Sequence, residues 1–167
     1  MAWDTWRCHV TTLLLIRHGI AEDPLPGQRD ADRALTEDGW KRTRAAMKGL
    51  VALGYKPTRG FNSPYRRAAE TMVCLQEAAG AFPMETRVDL MPNGRPPQVD
   101  LWLRGLMAEA GRGDVFVLIG HQPFLGDLIF HLAGLQVEVK KASCTILRWE
   151  EGAWRFERQY QPSELRR

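Results

Sequence analysis

Two apolar runs dominate the pattern of the chain, Leu13-Leu14-Leu15-Ile16 and Val115-Phe116-Val117-Leu118-Ile119, and each breaks abruptly into glycine and histidine. A short run without polar alternation predicts a strand covered on both faces, as in a parallel sheet. The first run ends in Arg17-His18-Gly19 and the second in Gly120-His121. Between them the apolar positions recur at helical spacing. Thr36 offers an N-cap, Glu37 and Asp38 suit the positive end of a helix dipole, and Trp40, Met47, Leu50 and Val51 line one face. This predicts a helix to about Leu53 that stops at Gly54. A short strand is expected near Gly60 to Asn62, followed by a helix opened by Pro64, running through about Ala79 and ended by Gly80. Partial alternation over Met84 to Leu90 predicts another strand, and Pro92, Asn93, Gly94, Pro96 and Pro97 a loop. Helical spacing returns over Val99 to Ala110 and again from Pro123 to about Ala133. Cys144 to Tyr160 reads as a hairpin around Glu151-Gly152.

Strands alternating with helices in this order predict a three-layer α/β/α sandwich, with a mostly parallel central sheet, right-handed crossovers and an antiparallel C-terminal hairpin. The 167 residues fit one domain over 1–167, with 1–10 as an N-terminal extension and 161–167 as a C-terminal tail. Ligands of such sheets bind beyond the carboxyl ends of the strands. His18 and His121, far apart in sequence, are therefore expected on one rim. The segment from Glu22 to Arg33, rich in Pro, Gly and Asp, reads as a surface loop placed to overhang it.

Composition narrows the class. A hydrophobic fraction of 44% with 26% charged residues is ordinary for a soluble protein, and no segment approaches the ~20 apolar residues of a membrane span. The N-terminus carries an early acid and two tryptophans in place of a basic and then apolar leader, which points to the cytoplasm. Cys8, Cys74 and Cys144 are odd in number and widely spaced, so they read as reduced packing residues rather than a disulfide framework or a zinc site. A net charge of +3, dispersed along the chain, argues against a nucleic-acid partner. Lys140-Lys141 is the one lysine pair, either an ordinary charged loop or a means of steering an anion. His9 and His131 have no motif context, and the six tryptophans read as core and rim packing.

Chemistry enters at the strand ends. Arginine is a planar, permanently charged fork suited to phosphate oxygens, a neutral imidazole can attack phosphorus, and Gly19 would let the backbone turn tightly beneath both. Ser63-Pro64-Tyr65-Arg66-Arg67-Ala68-Ala69-Glu70-Thr71 lies at a strand-to-helix junction and brings a further guanidinium to the rim, beside free helix amides. Two forks and two imidazoles suit phosphoryl transfer, which needs an in-line nucleophile and stabilisation of the equatorial oxygens.

With these residues in place the chain resembles the histidine phosphatase superfamily, the group of acid phosphatases and cofactor-dependent phosphoglycerate mutases, and within it the short SixA-like phosphohistidine phosphatase branch. The resemblance covers roughly Thr12 to Trp149 and rests on Arg17-His18-Gly19-Ile20-Ala21, Leu35-Thr36 with Gly39, Ser63-Pro64 through Thr71, the set Leu90, Pro92 and Gly94, and Gly120-His121-Gln122-Pro123. It implies a phosphoglycerate mutase-like fold and a metal-independent hydrolase without a cofactor. It also implies that His18 is transiently phosphorylated, that Arg17, Arg67 and His121 bind the phosphoryl oxygens, and that water then releases phosphate. Counting along the segment selects Arg67; Arg66 reads as a solvated helix residue. Gly19 and Asn93 join the expected substrate contacts, with turn chemistry as the other reading of Asn93. His18 must be neutral at the attacking nitrogen, and His121 is expected as an imidazolium, giving a rise in activity near neutral pH.

Mutases and many phosphatases of the group carry an acidic residue that protonates the leaving alcohol, and none is matched between Thr71 and Gly120. Glu22 and Asp23 follow the nucleophile closely but read first as a solvated loop. A phosphoramidate leaving group accepts a proton easily, so the expected substrate is phosphohistidine on a protein, such as a phosphorelay domain, with the enzyme a monomer by default. The alternatives are a small-molecule phosphomonoesterase, a non-catalytic phosphate-binding module and, last, a metal hydrolase, for which the histidines lack close ligand spacing.

Overall fold

A computed structural model describes residues 10–167; Cys8, His9 and most of the expected N-terminal extension lie outside the described residues. A six-stranded sheet forms the middle layer, in the order β3-β2-β4-β1-β5-β6. β1 (Thr11–Arg17), β2 (Arg59–Asn62), β3 (Met84–Thr86) and β4 (Val115–Gly120) run parallel, and β5 (Cys144–Glu150) and β6 (Ala153–Tyr160) add the antiparallel hairpin. The Glu151-Gly152 turn has positive φ at both residues, as a two-residue hairpin that follows the strand twist requires.

The uninterrupted apolar runs are explained by burial on both faces. Leu13 and Leu15 enter one core with Phe61, Leu118 and the helices α3 (Pro96–Glu109) and α4 (Phe124–Ala133). Leu14 and Ile16 enter the other with Val117, Ile119 and the helices α1 (Glu37–Ala52) and α2 (Arg66–Ala79). This is the α/β/α sandwich that the alternation of strands and helices predicts. Thr36 caps α1 as its sequence position requires, its hydroxyl accepting from Gly39 N at 2.8 Å.

Several boundaries differ from the sequence expectation, among them α2, which opens at Arg66 rather than at Pro64. The strand expected over Met84 to Leu90 ends at Thr86, because Leu90 is needed in the core while Val88 faces solvent, and a 3-10 turn over Val88–Leu90 makes that change of direction. α3 begins at Pro96, three residues early. Prolines fit the first helical turn, where an amide hydrogen has no intrahelical acceptor, so Pro96 and Pro97 start the helix rather than belong to the loop. The expected tail over 161–167 contains a short helix, α5 (Pro162–Leu165), whose Leu165 is buried against α1. Gly49 makes this approach possible: a Cβ there would collide with the Leu165 carbonyl. No helix among the described residues is long and apolar enough to cross a membrane.

Candidate active site

The parallel register places the site. Arg17 pairs with Gly120 across β1 and β4, so the residues that follow, His18 and His121, leave adjacent strands at the same level. His18 N donates to Gly120 O at 3.0 Å, and the two imidazole rings stand 5.2 Å apart. α2 then brings Arg67 over His18, its Nε donating to His18 Nε2 at 3.3 Å. Arg17, His18, Arg67 and His121 are thus gathered on one rim. His18, Arg67 and His121 are all buried, at 6%, 5% and 1% exposure.

His18 Nδ1 lies 2.7 Å from its own neighbour's carbonyl, Gly19 O. A carbonyl can only accept, so Nδ1 carries the proton and Nε2 holds a lone pair that faces the guanidinium. Burial pushes His18 down to about 3, with His121, Arg67 and Arg17 adding repulsion against the Gly19 bond. The ring is therefore neutral at any physiological pH.

His121 is held differently. Its Nε2 is 2.8 Å from Ser63 Oγ, and that oxygen already accepts from Tyr65 N at 3.2 Å, which leaves the serine hydrogen free to donate to the ring. With the serine hydrogen given to Nε2, Nδ1 bears the proton; Nδ1 and Arg17 Nε are both buried without a protein partner. Two orphaned buried donors at the end of a sheet make a receptor for anionic oxygens. Burial first, then Arg67 and Arg17, push His121 down to about 4 against the pull of Asp30. The expected imidazolium is thus corrected: His121 is neutral here, because two guanidinium groups and desolvation outweigh one carboxylate, and it offers the same donor atom without the charge.

Arg17 is steered by Val139 O, which accepts from its NH1 at 3.0 Å, and burial followed by repulsion from Arg67 lowers its affinity for the proton. Arg67 is engaged more heavily. Its NH1 donates to Asp30 O at 2.8 Å and its NH2 to Asp30 Oδ2 at 3.1 Å. The loop over residues 22–33 does overhang the rim, and Asp30, which the sequence did not single out, is the residue that closes it. Bonds from Arg33 first, and then from Arg67, hold the Asp30 carboxyl below the usual carboxylate range.

Gly19 is needed for space rather than for an unusual φ, since a Cβ at that position would collide with Thr43 Oγ1. Its amide donates to Thr71 Oγ1 at 3.1 Å, and Thr71 Oγ1 donates to Arg67 O at 2.8 Å, tying the His18 loop to α2. Asn93 does not join the cluster. It is exposed in the turn before α3 and hydrogen-bonds to none of the four residues, which favours the turn reading. Arg66 is solvated and paired with Glu70 at 3.3 Å. Ser63, Thr71 and Asp30 were missed as supports; the signal available was that Thr71 lies four residues after Arg67 and so shares its helix face.

A model of the histidine phosphatase superfamily, branch 1, matches residues 13–92, which contain Arg17, His18 and Arg67. An uncharacterized protein of a Picosynechococcus strain is 34% identical over 140 residues, 81% of this chain and 84% of its own length. The chain belongs to the histidine phosphatase superfamily. Among solved structures, that of the protein histidine phosphatase SixA complexed with tungstate has a TM-score of 0.85 at 24% identity, covering 92% of this chain and 99% of SixA. A phosphoserine phosphatase mutant from Entamoeba histolytica in complex with phosphoserine has a TM-score of 0.70 at 16% identity, over 93% and 99% of the two chains. These likenesses are of fold. The histidine phosphatase chain shares this fold with a protein histidine phosphatase and with a phosphoserine phosphatase.

The buried cysteines stand apart from the cluster. Cys74 and Cys144 are free, and burial pushes the thiols up, Cys74 to about 12, so neither is a thiolate at neutral pH. Among the described residues, no three His, Cys, Asp or Glu side chains converge as metal ligands.

Proposed function

We propose that the chain hydrolyses phosphohistidine on a protein by way of a phosphoenzyme at His18. The observation that carries this is the pairing of a neutral, oriented His18 Nε2 with the two orphaned donors Arg17 Nε and His121 Nδ1. Nε2 attacks phosphorus as the substrate's P–N bond breaks, and the departing imidazole keeps the electron pair and is protonated. Arg17, Arg67 and His121 hold the three phosphoryl oxygens as charge redistributes. Water then attacks phosphorus, the bond to Nε2 breaks and inorganic phosphate leaves.

The substrate class follows from the acids. Asp30, the carboxylate that touches the cluster, is ionised through its bonds to Arg33 and Arg67, and an ionised carboxylate has no proton to give. An alcohol leaving group needs such a proton; an imidazole leaving group is basic enough to take one from water. The test is phosphate release from a phosphohistidine peptide and from a panel of sugar and nucleotide monophosphates at matched concentrations, with His18→Ala as control. Faster release from phosphohistidine, lost in the variant, supports the reading. Preference for an ester would make the enzyme a small-molecule phosphomonoesterase, and no release from any of them would leave a phosphate-binding module.

A further inference from the structure

The cations that look dispersed in the sequence are gathered on one side of the site. A surface cavity of about 450 Å³ is lined by Arg17, Arg42, Lys140, Lys141 and Arg166, with the hydroxyl-bearing Thr43 and no acidic residue. Among the described residues Arg42 is the one member of the five with a carboxylate partner, Asp38 at 2.8 Å. Thr43 is 1% exposed, and its Oγ1 is buried without a partner. The four positive groups without a carboxylate partner around this one cavity outnumber the net +3 of the whole chain. Such a local excess raises the concentration of anions at its mouth.

The cavity adjoins the nucleophile. Arg17 and Ile20 flank His18-Gly19 and line it, and the Lys140-to-Ala142 segment is bonded to the same loop, Ala142 N donating to Arg17 O at 2.9 Å and approaching His18 O at 3.3 Å. Lys140 and Lys141 are exposed, on long mobile stems spread around an open mouth. That form suits several carboxylates on a protein surface better than one compact anion, which would call for converging fixed donors of the kind found at His18.

We infer that the cavity lined by Arg42, Lys140, Lys141 and Arg166 is a docking site for Asp and Glu side chains flanking the phosphohistidine of the substrate protein. The inference rests on the proposed phosphohistidine substrate for its purpose, but binding tests it without turnover. Electrostatic complementarity of this kind acts on encounter and specificity rather than on the chemical step.

The experiment uses the full chain and two synthetic peptides of equal length around one histidine, one flanked by Asp and Glu and the other by Gln and Ser, each in plain and phosphorylated form. Fluorescence anisotropy with the plain peptides should show the acidic one binding about tenfold tighter at low salt, a preference erased at high salt. The double variant Lys140→Glu, Lys141→Glu should remove the preference in binding and lower kcat/KM about tenfold on the acidic phosphopeptide while leaving the neutral one unchanged. Equal binding of the two plain peptides by the wild type would overturn the inference whatever the turnover. Equal loss on both phosphopeptides in the variant would overturn it as well, since the segment would then be acting on the shape of the His18 loop. Preferred binding of the acidic peptide without phosphate release from either would leave the docking site standing and remove the proposed substrate instead.

Discussion

The ends of β1 and β4 are built alike and anchored differently. Both are buried apolar strands, both place a histidine one step past the last paired residue, and the register sets those histidines side by side. Yet His18 is anchored through Nδ1 by its own chain, at Gly19 O, whereas His121 is anchored through Nε2 by Ser63 on another element. One ring is left with a lone pair and the other with a hydrogen. The difference shows that position along the sheet decides where a histidine acts, while the bond to its far nitrogen decides what it does.

Breaking the first end should have the largest effect. His18→Ala should lower turnover by at least about 10³-fold, because among the described residues His18 Nε2 is the imidazole nitrogen at the cluster that Gly19 O leaves unprotonated, and intact-protein mass spectrometry should lose the phosphoenzyme adduct. The fold should persist, since the side chain belongs to the rim and not to either core. A variant retaining more than about a tenth of the activity would remove His18 as nucleophile. At the second end, His121→Gln should cost about 10²-fold, the loss expected for one donor to a developing oxyanion, with the phosphoenzyme still detectable. Loss of the adduct in this variant as well would show that the two ends are not separable in function.

The protonation states sharpen the same contrast. Both folded values, about 3 for His18 and about 4 for His121, lie below the ordinary 6.5, so between these limits the unfolded chain binds more protons than the folded one. Their contribution to stability is therefore complete above about pH 6.5 and is lost as pH falls through the folded values, at roughly 1.4 kcal/mol per unit of difference. Denaturation midpoints measured from pH 3 to 8 should show that acid limb, and His121→Gln should flatten it. Ring-proton titration by NMR should give the two low inflections directly, and an inflection near 6.5 for either ring would contradict the neutral pocket. The rise in activity expected near neutral pH from the sequence moves to the acid side accordingly.

What could be read in advance was whatever depends on short, contiguous patterns. The strands ending in Arg17-His18 and Gly120-His121, the Thr36 cap and the Glu151-Gly152 turn each follow from a few neighbouring residues, and with them the sheet and the four rim residues. Contacts that loop side chains make across long sequence gaps, away from the strand ends, were not legible. Asp30 in a Pro-, Gly- and Asp-rich loop looks like any solvated acid until the loop folds back onto α2. Arg42, Lys140, Lys141 and Arg166 look dispersed until α5 packs on α1 beside the segment that precedes β5. Asn93 differs in the opposite sense: its motif is present, and the structure leaves it exposed in the turn before α3 with no bond to the four rim residues.

The smallest effect concerns the guanidinium that spans the two ends. Arg67 gives Nε to His18, while NH1 and NH2 are taken by Asp30, so an incoming phosphoryl group competes with a carboxylate for the same fork. Asp30 is half exposed, which limits that competition to the range of a surface ion pair. Asp30→Asn keeps the shape and the Asp30 carbonyl contact but removes the charge, so inorganic phosphate should inhibit about threefold more tightly, with little change in kcat. The sign of the change carries the information. Tighter phosphate means that the carboxylate is a placeholder the substrate displaces, and the loop then opens and closes with each turnover. Weaker phosphate means that Asp30 aims the fork, in which case the phosphoryl oxygens bind through Nε and the orphaned donors of the two strand ends alone.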